Sequence, residues 1–351
     1  MRKFYKFLLA SAIPIMVVVT LVVLYLVYGI VEPANLDVKQ KLVIDQDGGA
    51  DDAMAIFMAL LYEKYYDGPT VVALTTTHGN VGEEQTFNNT QRILSIADRR
   101  NVPIFRGSTK ALIAGIESDY YFGYDGLGDN VTASYKAIAA EKEHAVFALI
   151  QLSKKYKGKL TVVALGSLTN IALAIRIDPD FVSRLSQLYV AAGNIYDQDF
   201  TKPEFNAAMD PEAYQIVVNS CKPDKLTIIP FSPILKYQKI SNEWRTDVLG
   251  SIRTKIMRAQ NQFEQISIKS TSFWSLLDPS AMAIVLEECT VVEEALYSNN
   301  SIILCGDSRG INTNKFTTLE EANARIIVKV KKEPYKKFLY NLFSSDLEGK
   351  Y

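Results

Sequence analysis

From Lys41 onward, short apolar runs alternate with longer runs of helical period. LVID (42–45), TVVALTTT (70–77), LTVVALG (160–166) and LYVAAG (188–193) are β-branched and apolar on both faces. That is the pattern of buried strands. DDAMAIFMALLYEKYY (51–66), EEQTFNNTQRILSIADRR (83–100), HAVFALIQLSKKY (144–156), LTNIALAIRI (168–177) and DPEAYQIVVNS (210–220) read as helices. Strand and helix in alternation imply an α/β fold, a mostly parallel sheet with crossover helices. No low-complexity linker and no internal repeat interrupts 41–351, so this stretch reads as one domain. The segment near 240–275 reads as mostly helical, a cap on the sheet. Open α/β sheets bind ligands at the carboxyl ends of their strands. Polar residues gather at those ends: Asp45 to Asp52, His78-Gly79-Asn80, Leu165 to Asn170, and Gly193-Asn194.

The N-terminus has a different pattern. No residue from Phe7 to Val31 is charged, and Arg2, Lys3 and Lys6 precede this run. A run of this length predicts a transmembrane signal anchor at 7–31. The positive-inside bias then places 1–6 in the cytosol and a stalk at 32–40 on the other side. The expectation is a single-pass membrane protein with a lumenal or extracellular domain, or a secreted one if the segment is a cleaved signal peptide. N-x-S/T sequons at Asn88, Asn130 and Asn299 agree with a glycoprotein.

Composition narrows the function classes. A net charge of -1, with no basic tail or patch, argues against a nucleic-acid partner. Cys221, Cys289 and Cys305 are too few for a disulfide framework and lack zinc-site spacing. Nothing in the pattern excludes a homo-oligomer.

The chemistry concentrates in KLVIDQDGGADDAMAIFMALL (41–61), where Asp45, Asp47, Asp51 and Asp52 crowd the step from strand to helix. Like charges this close raise one another's pKa. An EF-hand loop requires Gly at its sixth position and Glu at its twelfth; counted from Asp45 these are Ala50 and Ile56. A haloacid dehalogenase-type phosphatase uses D-x-D-G-T after a strand. Asp45, Asp47 and Gly48 fit, but Gly49 replaces the Thr and Asp51-Asp52 has no role there. A hard-cation site with oxygen ligands uses all four. Helix capping explains Asp51 and Asp52, though not Asp45 and Asp47 at the end of an apolar strand.

The stretch Asp45-Gln46-Asp47-Gly48-Gly49-Ala50-Asp51-Asp52 resembles the D-x-D-x-G-x-D-D motif of the inosine-uridine preferring nucleoside hydrolases. Five further segments are similar to that family in the same order: THGNV (77–81), YDGLGD (124–129), ALGSLTNIALA (164–174), EFNAAMDPEA (204–213) and LLDPSAMA (276–283). The resemblance implies an enzyme that hydrolyses the N-glycosidic bond of ribonucleosides with Ca²⁺ as cofactor. It implies Asp47, Asp52, Asp278 and the Leu165 carbonyl as metal ligands, with Asp47 also the base that activates water. Asp51, Asn80, Glu204 and Asn206 would hold the ribose, and Asp45 would orient a neighbouring group.

Of three departures from the family pattern, two fall on the half of the site that faces the nucleobase and the third falls on a ribose contact. Leu277 stands where many family members carry a His, as does Phe122, and Gln198 stands at a family Asn. Trp274, with Phe273, Tyr121, Phe122 and Tyr124, is the expected aromatic surface for the base. The departures leave two other readings open beside the hydrolase and the phosphatase: a degenerate protein that binds ribosyl ligands without turnover, and either purine or pyrimidine preference. Most of these residues also have a purely structural reading. Asp210 and Asp278 precede prolines as helix caps do, Asn80 suits a turn, and Trp274 and Phe273 suit a core. His78 and His144 read as structural.

Overall fold

The computed structural model describes residues 39–130 and 135–347. The expected transmembrane segment 7–31, the N-terminal residues before it and the stalk lie outside the described residues. The expected placement of the protein is corrected. Among the described residues no helix is long and apolar enough to cross a membrane. The single-pass assignment, its secreted alternative and the glycoprotein expectation are therefore not carried further.

The α/β expectation agrees with the structure. In chain order the strands are β1 (Lys41–Gln46), β2 (Thr70–Thr76), β3 (Ile104–Phe105), β4 (Leu160–Ala164), β5 (Gln187–Ala191), β6 (Leu226–Ile229), β7 (Ile240–Ser241), β8 (Phe273–Trp274), β9 (Val292–Ile302), β10 (Asn312–Phe316) and β11 (Ala324–Val330). Nine of them form one sheet, ordered β10-β9-β11-β6-β5-β4-β1-β2-β3. Pairing is parallel from β3 through β11, and β9 and β10 join antiparallel at one edge. From β1 the chain builds outward to β2 and β3, then returns to lay β4 on the other side of β1. This reversal of direction makes the β1/β4 boundary the switch point, where such sheets open a crevice.

Both faces of the sheet are covered, which is why its strands are apolar throughout. Leu42 and Ile44 of β1 pack into one core, and Val43 between them packs into the other. The first core contains the helix Ala50–Tyr65, buried from Asp52 to Leu61 because the helix Leu277–Val291 covers its far side. A helix enclosed in this way is apolar all round and not striped. The helices Ala145–Lys155, Thr169–Ile177 and Pro211–Ser220 cover the opposite face.

The segment 240–275 is mostly helical, as expected. It holds a π-helical turn Trp244–Leu249, a helix Lys255–Phe263, and the small ladder of β7 with β8. It closes around a buried ion pair. Glu264 accepts from Arg245 at 3.0 Å and 3.1 Å, from Gln260 at 2.7 Å and from the Trp274 indole at 2.7 Å. Gln260 reaches on to the Ala50 carbonyl at 2.7 Å, which ties this cap to the start of the first helix.

Removing one partner of such a pair leaves an uncompensated buried charge, worth about 3–5 kcal/mol. Glu264→Ala is expected to lower unfolding stability by that amount in urea titration. A loss below about 1 kcal/mol, the value of an exposed pair, would show that the pair does not hold the cap.

Candidate functional site

The turn after β1 is shaped by two glycines. Gly48 has φ +86°, a conformation that disfavours side chains, and a Cβ there would lie 2.8 Å from the Thr86 Cα. A Cβ on Gly49 would collide with the Asn80 side chain. The turn therefore presses four aspartates against neighbouring backbone. Asp52 accepts from the Gly49 amide at 2.8 Å and from the Asp47 amide at 3.2 Å. Asp47 accepts from the Asn80 amide at 3.0 Å, which docks the end of β2 onto it. Asp45 accepts from the Thr75 hydroxyl at 2.5 Å and from Asn170 at 2.9 Å.

The capping reading of Asp52 is thus correct as far as it goes, since Asp52, at the third position of the helix, accepts from the amide of the N-cap residue Gly49. Capping leaves the wider cluster unexplained. Asp51, Asp52 and Asp278 present carboxylate oxygens within 4.8 Å of one another. Burial pushes all three well above the ordinary carboxylate range, and each is raised further by the carboxylates around it. Burial likewise lifts Asp45 to about 7 and Asp47 to about 6. No cationic side chain lies in this set to compensate.

The donor set fits a hard cation. Every group is an oxygen, as such ions require. The second carboxylate oxygen of Asp45 is buried and has no partner among the described residues. A Cβ on Gly79 would collide with the Asp47 carboxylate, and one on Gly166 would lie 2.7 Å from its Cβ, so only glycine leaves Asp47 its room.

Beside the cluster opens a cavity of about 270 Å³. Asp51, Asn80, Leu165, Glu204, Asn206 and Asp278 all line it, so segments more than 200 residues apart in sequence converge there. Asp47 and Asp52 lie beneath, fully buried. Glu204 caps the helix Phe205–Met209, accepts from the Gly193 amide at 2.7 Å, and is pushed up to about 7 by burial. Asn206 donates to the Leu165 carbonyl at 2.6 Å and to the Ala191 carbonyl at 2.9 Å.

The aromatic expectation needs revision at two residues, Trp274 and Tyr124. Trp274 does not line the cavity; it is buried, donates to Glu264 and stacks on Tyr335. Its neighbour Phe273 faces the cavity instead, with Tyr121, Phe122, Phe231 and Leu277. Tyr124 is exposed and packs on Tyr120, and Gln198 is exposed in its loop. His78 is buried against Thr169 and Ser167, and His144 caps the helix Ala145–Lys155, both structural as expected. Asp210 caps the helix Pro211–Ser220 and accepts from Thr169.

Two contributors carried no sequence signal. Asp119, on the loop before Tyr121, lines the cavity. Asn89 donates at 2.7 Å to both the Gly48 and the Asp125 carbonyls, tying that loop's far end to the acidic turn. Its place mid-helix among other polar residues gave no hint of this.

Comparison with known proteins agrees with the geometry. Over 223 residues, 62% of its length, the chain is 34% identical to a probable uridine nucleosidase 2 of Arabidopsis thaliana. It is 32% identical over 185 residues to an inosine-uridine preferring nucleoside hydrolase of Leishmania major. These matches span 66% and 57% of the relatives' own lengths. Among solved structures, a plant nucleoside hydrolase superposes with TM-score 0.77 at 24% identity, over 87% of this chain and 99% of that one. A purine-preferring ribonucleoside hydrolase from Gardnerella vaginalis gives 0.76 at 24%, over 87% of this chain and 100% of that one. At that identity the superposition shows the fold. The family model for inosine-uridine preferring nucleoside hydrolases matches residues 42–337, nearly the whole described domain, and the chain belongs to that family.

Proposed function

We propose that the protein hydrolyses the N-glycosidic bond of ribonucleosides, releasing free base and ribose, with calcium as its cofactor. The observation that carries this reading is a buried set of uncompensated carboxylates beside a cavity lined by Asn80, Glu204 and Asn206. A phosphatase would leave Asp51 without a role. A binding module without turnover would carry the same desolvated carboxylates with no chemistry to use them.

In this reading Asp47, Asp52, Asp278 and the Leu165 carbonyl would hold the calcium ion, with Asp51 beside them, its carboxylate within 4.8 Å of those of Asp52 and Asp278. When bound, the ion neutralises the carboxylates, orients the ribose hydroxyls and makes the attacking water more acidic. Asp47 takes a proton from that water as it approaches the anomeric carbon. The Asn80 amide fixes the Asp47 carboxylate in place for the transfer. Asp51, Asn80, Glu204 and Asn206 grip the ribose. Positive charge develops on the sugar as the glycosidic bond stretches, and carboxylates held in a dry site favour it. Asp45 orients its surroundings through Thr75 and Asn170.

Incubation with a nucleoside panel, assayed for reducing sugar, tests the reaction. Release of ribose and base supports the hydrolase. Phosphate release from sugar phosphates alone, or calcium-dependent nucleoside binding without turnover, rejects it.

The metal assignment predicts that calcium at a hundredfold excess over its Kd stabilises the folded state by about 2.7 kcal/mol. Asp52→Ala and Asp278→Ala are expected to abolish this rise in melting temperature. A melting curve of the unsubstituted protein unmoved by chelator or by calcium refutes the site.

For Asp47, replacement by Asn keeps an oxygen that can contact a cation but removes the proton acceptor. kcat is expected to fall by about 10²–10⁴-fold, with much less change in KM. If kcat at saturating nucleoside and calcium stays within about threefold, too little for loss of a general base, Asp47 is not the base.

A further inference from the structure

The cavity lacks the groups that most often hand a proton to a leaving group. Among the described residues its lining contains no His, Lys, Arg or Cys. His78 is sealed behind Ser167 and Thr169, and His144 caps a helix on the opposite face of the sheet. Apart from the acidic groups, the side chains on its wall that carry an O–H are Tyr121, Thr271 and Ser275.

These three also indicate where the base lies. The Ser275 hydroxyl is buried and has no partner among the described residues, yet its residue lines the cavity. A buried hydroxyl without a partner is costly. Tyr121 lines the same cavity as Thr271, whose hydroxyl offsets part of the rise that burial gives the phenol. Around them stand Phe122, Phe231, Phe273 and Leu277, an apolar surface suited to a flat heterocycle. The carboxylates and amides proposed to hold the ribose line the same cavity.

Resting on the hydrolase reading above, we propose that Tyr121 is a catalytic residue, the group that protonates the departing nucleobase. Aliphatic hydroxyls such as those of Thr271 and Ser275 are far too weakly acidic for this role. A phenol, with a pKa of about 10 when unperturbed, is within range of a nucleobase leaving as its anion. Burial raises the Tyr121 phenol further, so it stands protonated and ready to donate at neutral pH. The loop amide of Tyr121 donates to the Asp119 carboxylate at 3.0 Å, which holds the ring's backbone against the cavity mouth.

The step balances as follows. Water adds to the anomeric carbon and gives its proton to Asp47. The C1′–N bond breaks, and its electron pair passes to the base. The phenol proton moves onto the base, and the proton held by Asp47 then passes through water to the phenolate, which restores both groups. The sum is nucleoside plus water going to ribose plus free base, with no other reactant.

The test compares leaving groups. The full-length protein and its Tyr121→Phe variant are assayed on inosine, on uridine, and on 4-nitrophenyl β-D-ribofuranoside, whose phenolate leaves without protonation. The wild type is expected to cleave the aryl riboside and at least one nucleoside. Tyr121→Phe is expected to lower kcat on the nucleosides about 100-fold, the lower end for loss of a general acid. It should leave the aryl riboside within about threefold, a change too small for such a loss. Retained aryl riboside turnover also shows that the variant is folded. An equal fall on both substrate types, or no fall on nucleosides, overturns the assignment of Tyr121. A wild type that cleaves neither substrate overturns the hydrolase reading itself, and this assignment with it.

Discussion

The structure depends on mutual repulsion and desolvation among carboxylates at the end of β1. Asp45, Asp47, Asp51 and Asp52 leave the sheet within eight residues, and Asp278 meets them from the far end of the chain. Burial lifts every one of them out of the ordinary range. Much of the local architecture reduces that cost. Amides of Gly49, Asp47 and Asn80 point into the carboxylates, the start of the helix Ala50–Tyr65 presents its positive end, and Thr75 and Asn170 bond to Asp45. What these donors leave uncompensated is the part a divalent cation would supply.

The site divides into halves built by different means. The acidic half sits on strand ends and helix starts at the switch point of the sheet, where backbone amides hold it. Such elements place side chains more narrowly than loops do. The other half comes from the loop at 119–122 and from the segment 271–277, which follows the cap built around Arg245 and Glu264. The family motifs fall on the first half, and the departures at Leu277 and Phe122 on the second. In the proposed reading, a chain that keeps the acidic half and rebuilds the other half changes what the base meets and leaves the chemistry at the anomeric carbon the same.

The strands β1, β2, β4 and β5 were legible because helices on both faces force them to be apolar throughout. The helix Ala50–Tyr65 was legible by its length and lack of breakers. The antiparallel pair β9 and β10 was not, since β9 is exposed along much of its length and its pattern alternates poorly. The acidic residues could be read because glycine and aspartate at fixed spacing admit few explanations. Trp274 shows the limit. In the two-residue strand β8, adjacent side chains point to opposite faces. The sequence shows that an aromatic pair lies there; which member faces the cavity depends on the partner of the strand and on Glu264, neither visible locally. Asp119 lay in a loop with no periodicity at all, so only the fold could bring it to the cavity.

Capping and cation binding are not rival explanations of Asp52. A carboxylate has about four lone-pair directions across its two oxygens. Asp52 spends one on the Gly49 amide and one on the Asp47 amide, which leaves others turned toward Asp51 and Asp278. The cap fixes the rotamer, so the remaining lone pairs are aimed before any ligand arrives. The same holds for Glu204, which closes a short helix through two amides and accepts a third from Gly193 while the residue still lines the cavity. In both cases the helix start serves to orient a charge. A structural reading of either residue taken alone is therefore correct and incomplete, because the bond that caps the helix is also the bond that positions the group.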